Sequence, residues 1–82
     1  MLLDEIENSK KVIGSKQVKK AVTKGLARKV FLAENAEPHI IEPLREICRQ
    51  HEVEIESIET MEELGNACGI EVGSAAVALI KE

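Results

Sequence analysis

The sequence contains no tryptophan, no tyrosine and a single phenylalanine, Phe31, among its 82 residues. Proteins that hold single-stranded nucleic acid usually stack successive bases on several exposed aromatic rings. A single ring cannot provide such a platform. The composition therefore disfavours a protein that binds unstructured single strands by stacking.

Cysteines and long apolar runs are also scarce. Cys48 and Cys68 are too few to form a disulfide framework. No apolar run approaches the roughly 20 residues that are needed to cross a bilayer. The N-terminus becomes acidic at Asp4, so no signal peptide is predicted. These features predict a cytoplasmic protein with no membrane partner.

Motifs for catalysis are missing as well. The chain has no glycine-rich phosphate loop and no nucleophile elbow. Most of its glutamates are predicted to be helix- or strand-surface residues beside polar neighbours, and none forms a carboxylate pair in an apolar setting. We therefore expect a protein that is not an enzyme, has no catalytic residues and needs no cofactor.

A metal site is the strongest rival chemistry. His39, His51, Cys48 and Cys68 are suitable ligand types, and Cys48 and His51 stand three residues apart. Structural zinc sites normally include cysteines that are close together in sequence, and this chain has no such pair. Both cysteines fall on inward-facing stripes of predicted helices, where free cysteine is a small apolar side chain. We expect no bound metal.

Charged residues are distributed unevenly along the chain. The net charge is −4, yet residues 1–30 hold 8 of the 11 lysines and arginines, and 12 of the 15 acidic residues follow position 30. This layout indicates a local basic patch on an otherwise acidic body. Charge alone fits equally well a lysine-rich helix face that is merely solvated.

Apolar spacing predicts two helices in the first third of the chain. The first is short and amphipathic, with its apolar side at Leu2, Leu3 and Ile6. In the second, the Ser15 hydroxyl can accept a hydrogen bond from a first-turn amide and so cap the helix. Its apolar stripe follows helical spacing and consists of Val18, Ala21, Val22 and Leu26.

Two further helices are predicted in the rest of the chain. Pro38 opens the third, because the N–H that proline lacks is not needed at that position. Pro43 then predicts either a kink or a later start near Glu42. Thr60 and Glu63 match a capping box at the start of the fourth helix.

Short apolar segments between the helices predict four strands, at residues 12–13, 30–33, 53–57 and 75–80. The run from Val30 to Ala33 is continuously apolar, as expected for a strand covered on both faces. Alternating helices and strands favour an α/β fold, a three-layer α/β/α sandwich with a small mixed four-stranded sheet and about four helices. We expect residues 1–82 to form a single domain.

Four short stretches, in order along the chain, carry a resemblance to a known family. They are residues 14–21 (GSKQVKKA), 33–38 (AENAEP), 63–69 (ELGNACG) and 70–73 (IEVG). They resemble the large-subunit ribosomal protein family called "L-seven-Ae", whose relatives include the "L-thirty-e" protein and the kink-turn binders of snoRNP and spliceosomal particles. The short length and the Lys16-Gln17 pair are similar to the bacterial, ribosomal-protein-like branch.

The resemblance implies a kink-turn RNA-binding domain. In the family, the start of the second helix enters the widened groove of a kink-turn beside tandem sheared G·A pairs. By this resemblance, Gly14 lets the backbone approach RNA with no Cβ in the way. Lys16 and Gln17 reach guanine edges, and Lys20, one turn later, meets a phosphate.

The resemblance also implies a second contact surface. Glu37 accepts a hydrogen bond from the nucleotide that is flipped out of the bend, and residues 70–73 place apolar side chains against its base. The implied RNA-binding residues are Gly14, Ser15, Lys16, Gln17, Lys20, Glu37, Ile70, Glu71, Val72 and Gly73.

The chain departs from the family pattern in two places. Archaeal and eukaryotic members usually have Asn-Glu where Lys16-Gln17 stands, so a carboxylate is lost and a positive charge is added. Some relatives have a basic residue at the position of Val72, so the loop contact implied here is apolar. Both changes bear on affinity for RNA.

The expected partner is a structured RNA that contains a kink-turn, in ribosomal RNA, a riboswitch or another transcript, and not DNA. We expect the protein to act as a monomer. The alternative is a small protein-interaction module whose acidic face meets a basic partner. That face comprises Glu52, Glu54, Glu56, Glu59, Glu62 and Glu63.

Overall fold

Three helices and four strands alternate along the part of the chain that the structure, a computed structural model, describes, which is residue 6 and residues 9–81. In order they are β1 (Lys11–Ile13), α1 (Ser15–Thr23), β2 (Ala27–Ala33), α2 (Pro38–Gln50), β3 (Glu54–Ile58), α3 (Met61–Ala67) and β4 (Ala76–Ile80).

The predicted first helix lies almost entirely outside the described residues. Leu2 and Leu3 belong to that part of the chain, whereas Ile6 is helical and fully buried. Of the about four helices predicted, the described residues therefore contain three, and these correspond to the second, third and fourth predictions.

The four strands form one mixed sheet in the order β1-β4-β2-β3. β4 pairs antiparallel with both β1 and β2, and β2 pairs parallel with β3. The central strands are buried on both faces, with Val30 to Ala33 in β2 and Ala76 to Leu79 in β4 fully excluded from solvent. Helices α1 and α2 pack against each other, and α3 contacts β2, β3 and β4. The predicted α/β/α sandwich is confirmed.

Strand direction places every described helix start at one edge of the sheet. Because β1, β2 and β3 run the same way, the helix that follows each of them begins at the same edge, where β4 also starts. Main-chain hydrogen bonds tie this edge together, from Gly14 N to Ala76 O (2.9 Å), from Ala33 N to Ala75 O (2.9 Å) and from Glu34 N to Ile58 O (2.7 Å). We call it the helix-start edge.

The start of α1 differs from the sequence prediction. Its N-cap is Gly14, with φ 103°, and no side chain caps the helix. Ser15, predicted to cap it, is instead the first helical residue. The Gly14 amide is held by Ala76 O, so strand pairing sets where the chain turns into the helix.

The end of α1 also falls earlier than the apolar spacing suggested. Val18, Ala21 and Val22 are buried as predicted. The helix ends at Thr23, and Gly25 adopts φ 73°, a conformation that glycine reaches without steric cost. Leu26 therefore lies outside the helix and is 46% exposed, so its predicted place on the buried stripe is wrong.

Helix α2 runs through Pro43. It begins at Pro38, so the alternative start near Glu42 is wrong. Pro43 cannot donate to the carbonyl of His39, four residues earlier. Both residues are exposed, so water can satisfy that carbonyl. Ile41, Leu44 and Cys48 form the buried stripe.

The single aromatic ring is part of the core. Phe31 is fully buried in β2, and the Lys29 ammonium lies 5.2 Å from its ring centroid. The same ammonium is 2.7 Å from a carboxylate oxygen of Glu56 on the neighbouring strand. Phe31 is therefore unavailable for stacking on a nucleic-acid base. Within the described residues, no helix combines the length and apolar character of a membrane span.

The capping box predicted for the last helix gives a test of stability. The Thr60 hydroxyl accepts a hydrogen bond from Glu63 N at 3.1 Å. Thr60→Ala should lower the free energy of unfolding by about 1 kcal/mol, because a first-turn amide loses its acceptor. Thr23→Ala is the control, since the Thr23 hydroxyl only donates to main-chain carbonyls of its own helix. Urea unfolding that shows equal stability changes for the two variants would contradict this assignment.

Candidate nucleic-acid interface

The first part of the candidate site is the open start of α1. A Cβ built on Gly14 would meet no other atom within 4 Å, so the main chain here faces free space. The first turn of the helix contains no acidic residue. The unpaired amides and the helix dipole make this end electropositive, which suits an anionic ligand.

Four lysines extend this electropositive surface along α1. Lys16, Lys19, Lys20 and Lys24 are all exposed, while the opposite side of the helix is buried. None of the four forms an ion pair with another described residue. Their charges are therefore available to a partner. Gln17, which is also exposed, lies between Lys16 and Lys20.

Glu37 stands at the start of α2, on the same edge of the sheet. It is the N-cap residue, in extended conformation, and Pro38 follows as the first helical residue. Its carboxylate lies 3.1 Å from His39 Nδ1, and both side chains are largely exposed. A shallow cleft between the starts of α1 and α2 is lined by Ser15, Lys16, Lys19, His39, Ile40, Pro43 and Leu44. His39, the partner of Glu37, therefore lines the same cleft as Lys16 and Lys19.

The loop after α3 forms the third part of the site. Val72 is 70% exposed, Glu71 and Gly73 are exposed, and Ile70 is half-buried. The loop begins with two hydrogen bonds, from Gly69 N to Asn66 O (3.0 Å) and from Ile70 N to Gly65 O (3.1 Å). With Gly69 at φ 78°, these bonds form a Schellman motif that ends the helix.

Two glycines let this loop lie directly on α3. A Cβ on Gly65 would collide with the carbonyl oxygen of Val72, and a Cβ on Gly73 would lie 2.9 Å from Met61 Cβ. The main chain of the loop therefore occupies space that a side chain would otherwise fill. As a result, the exposed apolar side chain of Val72 projects from main chain that is packed against α3.

Asn35 is a residue of this region that sequence reasoning missed. Its side-chain oxygen accepts a hydrogen bond from Met61 N at 2.8 Å, so the turn after β2 caps the start of α3. No local pattern could reveal this contact, since the two residues are far apart in sequence. The nearest signal was the presence of Asn35 in the stretch at 33–38 that carries the family resemblance.

The helix-start edge collects most of the predicted RNA-binding residues. Residues 14–17 lie at the start of α1, Glu37 lies at the start of α2, and residues 70–73 precede β4, whose first residues bond to Gly14 and Ala33. Lys20 lies one helical turn away from the edge. The predicted positions thus form two surfaces, which we call the helix surface (residues 14–20) and the loop surface (residues 70–73), with Glu37 beside the helix surface.

The side chains considered as metal ligands are not gathered into a site. Cys48 is fully buried in α2, and Cys68 is half-buried at the end of α3. Burial raises the pKa of both thiols, and Lys11 partly opposes this shift at Cys68. Among the described residues, no group of three or more His, Cys, Asp or Glu side chains is placed to hold a metal ion.

Comparison with known proteins places the chain in a family. The sequence profile of the Ribosomal protein L7Ae/L30e/S12e/Gadd45 family matches residues 2–82. The chain belongs to this family. The resemblance drawn from the four ordered stretches is therefore confirmed, and membership also confirms the prediction that the chain is not an enzyme.

Individual relatives agree with this membership. An RNA-binding protein of Geobacillus sp. (strain WCH70) is 40% identical over 76 residues, which is 93% of each chain. The large ribosomal subunit protein eL8 of Halobacterium salinarum is 43% identical over 68 residues, 82% of this chain and 57% of that protein. The solved structure of a Giardia lamblia 15.5kD RNA binding protein matches with a TM-score of 0.90 and 25% identity, over 99% of this chain and 72% of the other.

The two thiols, one buried and one half-buried, should react slowly. Because burial raises the pKa of both thiols, thiolate is scarce at neutral pH. Iodoacetamide should therefore modify the folded protein faster as the pH rises into the alkaline range, with Cys68 reacting before the more deeply buried Cys48. The free energy of unfolding should also fall at high pH. A thiol whose pKa is raised by folding contributes to stability below its unfolded-state pKa, and this contribution is lost as the pH rises through its folded-state pKa. Rapid labelling of Cys48 in native protein at neutral pH, followed by mass spectrometry, would contradict its burial.

Proposed function

We propose that this protein binds structured RNA and recognises a kink-turn. The proposal rests chiefly on one observation, that the fold brings the open start of α1, Glu37 and the 70–73 loop to the same edge of the sheet. A sharply bent RNA offers phosphates, base edges and an extruded base within a short distance. The helix surface, Glu37 and the loop surface differ in chemistry and together match that combination.

Charge supports RNA as the partner. Lys16 lies in the first turn of α1, at the positive end of the helix dipole, and three further exposed lysines follow along the helix to its C-terminal cap. None of the four forms an ion pair with a described carboxylate. Contacts to phosphates supply most of the sequence-independent affinity of RNA-binding proteins. A local patch of this kind allows binding despite a net charge of −4.

The helix surface is suited to the bend itself. Gly14 has no side chain and faces open space, so an RNA backbone can approach closely. Lys16 and Gln17 follow in the first turn, where they can donate to the O6 or N7 of guanines in sheared G·A pairs. Lys20 lies one turn further along the helix and would contact a phosphate.

The loop surface is suited to the extruded nucleotide. Val72 presents an exposed apolar side chain on a loop anchored to α3, and Ile70 stands half-buried beside it. Apolar side chains can contact the faces of an unstacked base, while Glu37 accepts a hydrogen bond from its edge. Glu71 and Gly73 complete the loop.

Family relatives support the coarse part of this proposal. Members compared above bear the names RNA-binding protein and large ribosomal subunit protein. We further propose that the chain acts as a cytoplasmic, single-domain monomer on a kink-turn in ribosomal RNA or a riboswitch. The protein-interaction alternative gains little support, since Glu54 and Glu56 of its acidic face already pair with Lys29.

A comparison of bent and straight RNA tests the function. The protein should bind an RNA with a bulge flanked by tandem sheared G·A pairs far more tightly than a straight duplex of equal length. Single-stranded RNA of the same sequence composition should bind weakly, because the one aromatic ring is buried. Gel-shift titrations with equal affinity for the bent and straight RNAs would overturn the proposal.

Salt dependence of RNA affinity distinguishes the phosphate contact proposed for Lys20 from the base recognition proposed for Gln17. Lys20→Ala should weaken binding to bent and straight RNA alike and reduce the salt slope by about one, because one phosphate contact is lost. Gln17→Ala should cost about 1–3 kcal/mol on the bent RNA with little change in salt slope. It should cost less when the G·A pairs are replaced.

The control for this experiment is Lys24→Ala. Lys24 is exposed at the C-terminal cap of α1, a turn beyond Lys20, so its loss should change affinity little. A Gln17→Ala variant with the salt behaviour of Lys20→Ala, or with equal losses on intact and G·A-disrupted RNA, would contradict base recognition by Gln17.

A further inference from the structure

The main chain of Met61 connects the two sides of the candidate interface. Its N–H donates to Asn35 Oδ1 at 2.8 Å, and its carbonyl accepts from Ser74 N at 3.0 Å. Asn35 stands two residues before Glu37, and Ser74 stands two residues after Val72. The main chain of Met61 therefore touches both the turn that precedes Glu37 and the residue that directly follows the loop surface.

Helix α3 connects Met61 to the residues of the loop surface. Gly65, one turn further on, accepts from Ile70 N at 3.1 Å and leaves space only for the Val72 carbonyl. Gly73 lies against the Met61 side chain. Any tilt of α3 must therefore move the loop at its beginning, middle and end.

Two acceptors from different segments hold the first turn of α3. The first amides of a helix have no partner within the helix. Thr60 supplies the acceptor for Glu63 N from the residue next to the helix, so it moves with the helix. Asn35 supplies the acceptor for Met61 N from the turn after β2, so it fixes the helix relative to the rest of the edge.

The Asn35 contact is better suited to setting position than to holding the fold together. Asn35 is exposed, so water can replace it at the Met61 amide if it is removed. Among the described residues, its side chain forms a hydrogen bond only to Met61 N, so the buried core does not depend on it. Loss of this hydrogen bond should therefore leave the core intact but allow α3 to change its orientation.

The geometry points to Asn35 as a positioning residue of the RNA interface, which sets the separation between Glu37 and the loop surface through α3. This inference rests on the function proposed above. Both sides must contact the same nucleotide, so a small error in their separation weakens one contact whenever the other is made. Asn35 itself touches no RNA in this arrangement.

The first part of the test needs no RNA. Amide hydrogen exchange is compared between wild type, Asn35→Ala and the matched control Asn66→Ala, whose side chain lies exposed on α3 without a hydrogen bond to any described residue. Asn35→Ala should accelerate exchange at Ile70 and Ser74, the amides that bond to α3. Exchange at Gly14, which bonds to β4, should not change.

The second part is a pair of double-mutant cycles on binding to bent RNA. Asn35→Ala alone should weaken binding about three- to tenfold, the range expected for one hydrogen bond. The effect of Val72→Ala should then shrink in the Asn35→Ala background, because the loop is already displaced. The effect of Lys20→Ala should add independently, since α1 is held by β4 instead.

Gly65→Ala provides a second route to the same displacement. Alanine favours the helix more than glycine does, yet its Cβ would push the Val72 carbonyl away. In the Gly65→Ala background, Val72→Ala should again weaken RNA binding less than it does in the wild-type background, although the Asn35 hydrogen bond stays in place.

The outcomes distinguish this inference from the proposed function. Unchanged exchange at Ile70 and Ser74 in Asn35→Ala, or full additivity of Asn35→Ala with Val72→Ala, would overturn the positioning role alone. Wild-type protein that does not prefer bent RNA would overturn the proposed function and, with it, any role for Asn35 in RNA binding. Faster exchange together with selective coupling to Val72 would support both.

Discussion

The pairing of β4 between β1 and β2 is the constraint on which the rest of the structure depends. β4 runs against both neighbours, so β1 and β2 must run in the same direction, and β3 follows β2 in parallel. Four consecutive residues of β4 are fully buried, so its alignment is fixed by the core and not by surface contacts. The helix starts gather at one edge as a consequence.

The Ala76 carbonyl shows how this constraint reaches the candidate interface. It accepts hydrogen bonds from Gly14 N and from the hydroxyl of Ser74, the only buried polar residue among those described, each at 2.9 Å. The residue before α1 and the residue that directly follows the loop surface thus share an acceptor on β4. In this way the rigid sheet positions the loops that carry the candidate binding residues.

Positive and negative charges lie near opposite outer strands of the sheet. Unpaired lysines of α1 lie near β1, which is one of the two outer strands of the sheet. β3, the other outer strand, carries glutamates that partly pair with Lys29. Charged residues on an edge strand also discourage pairing with other chains. A net negative protein can therefore present a locally positive surface to RNA while the remaining surface stays acidic.

Local patterns predicted much of this structure. The apolar spacing of Val18, Ala21 and Val22 identified the buried side of α1, and Thr60 with Glu63 identified the start of α3. Both depend only on residues within one or two helical turns, where sequence spacing determines which side chains meet.

Contacts between distant segments could not be predicted in this way. Ser15 was expected to cap α1, but the bond from Gly14 to Ala76 moved the helix start by one residue. The bond between Asn35 and Met61 joins residues that are 26 positions apart. Positions in the candidate interface came from the family resemblance, whereas their arrangement on one edge came from the sheet topology.

Backbone chemical shifts during titration with a kink-turn RNA test the central claim most directly, that both surfaces of the helix-start edge bind one RNA together. The shifts of residues 14–20, Glu37 and residues 70–73 should change in parallel and saturate at the same RNA concentration, while residues 54–57 of β3 stay unchanged. Changes centred on β3, or saturation of the helix surface without any response of the loop surface, would contradict it.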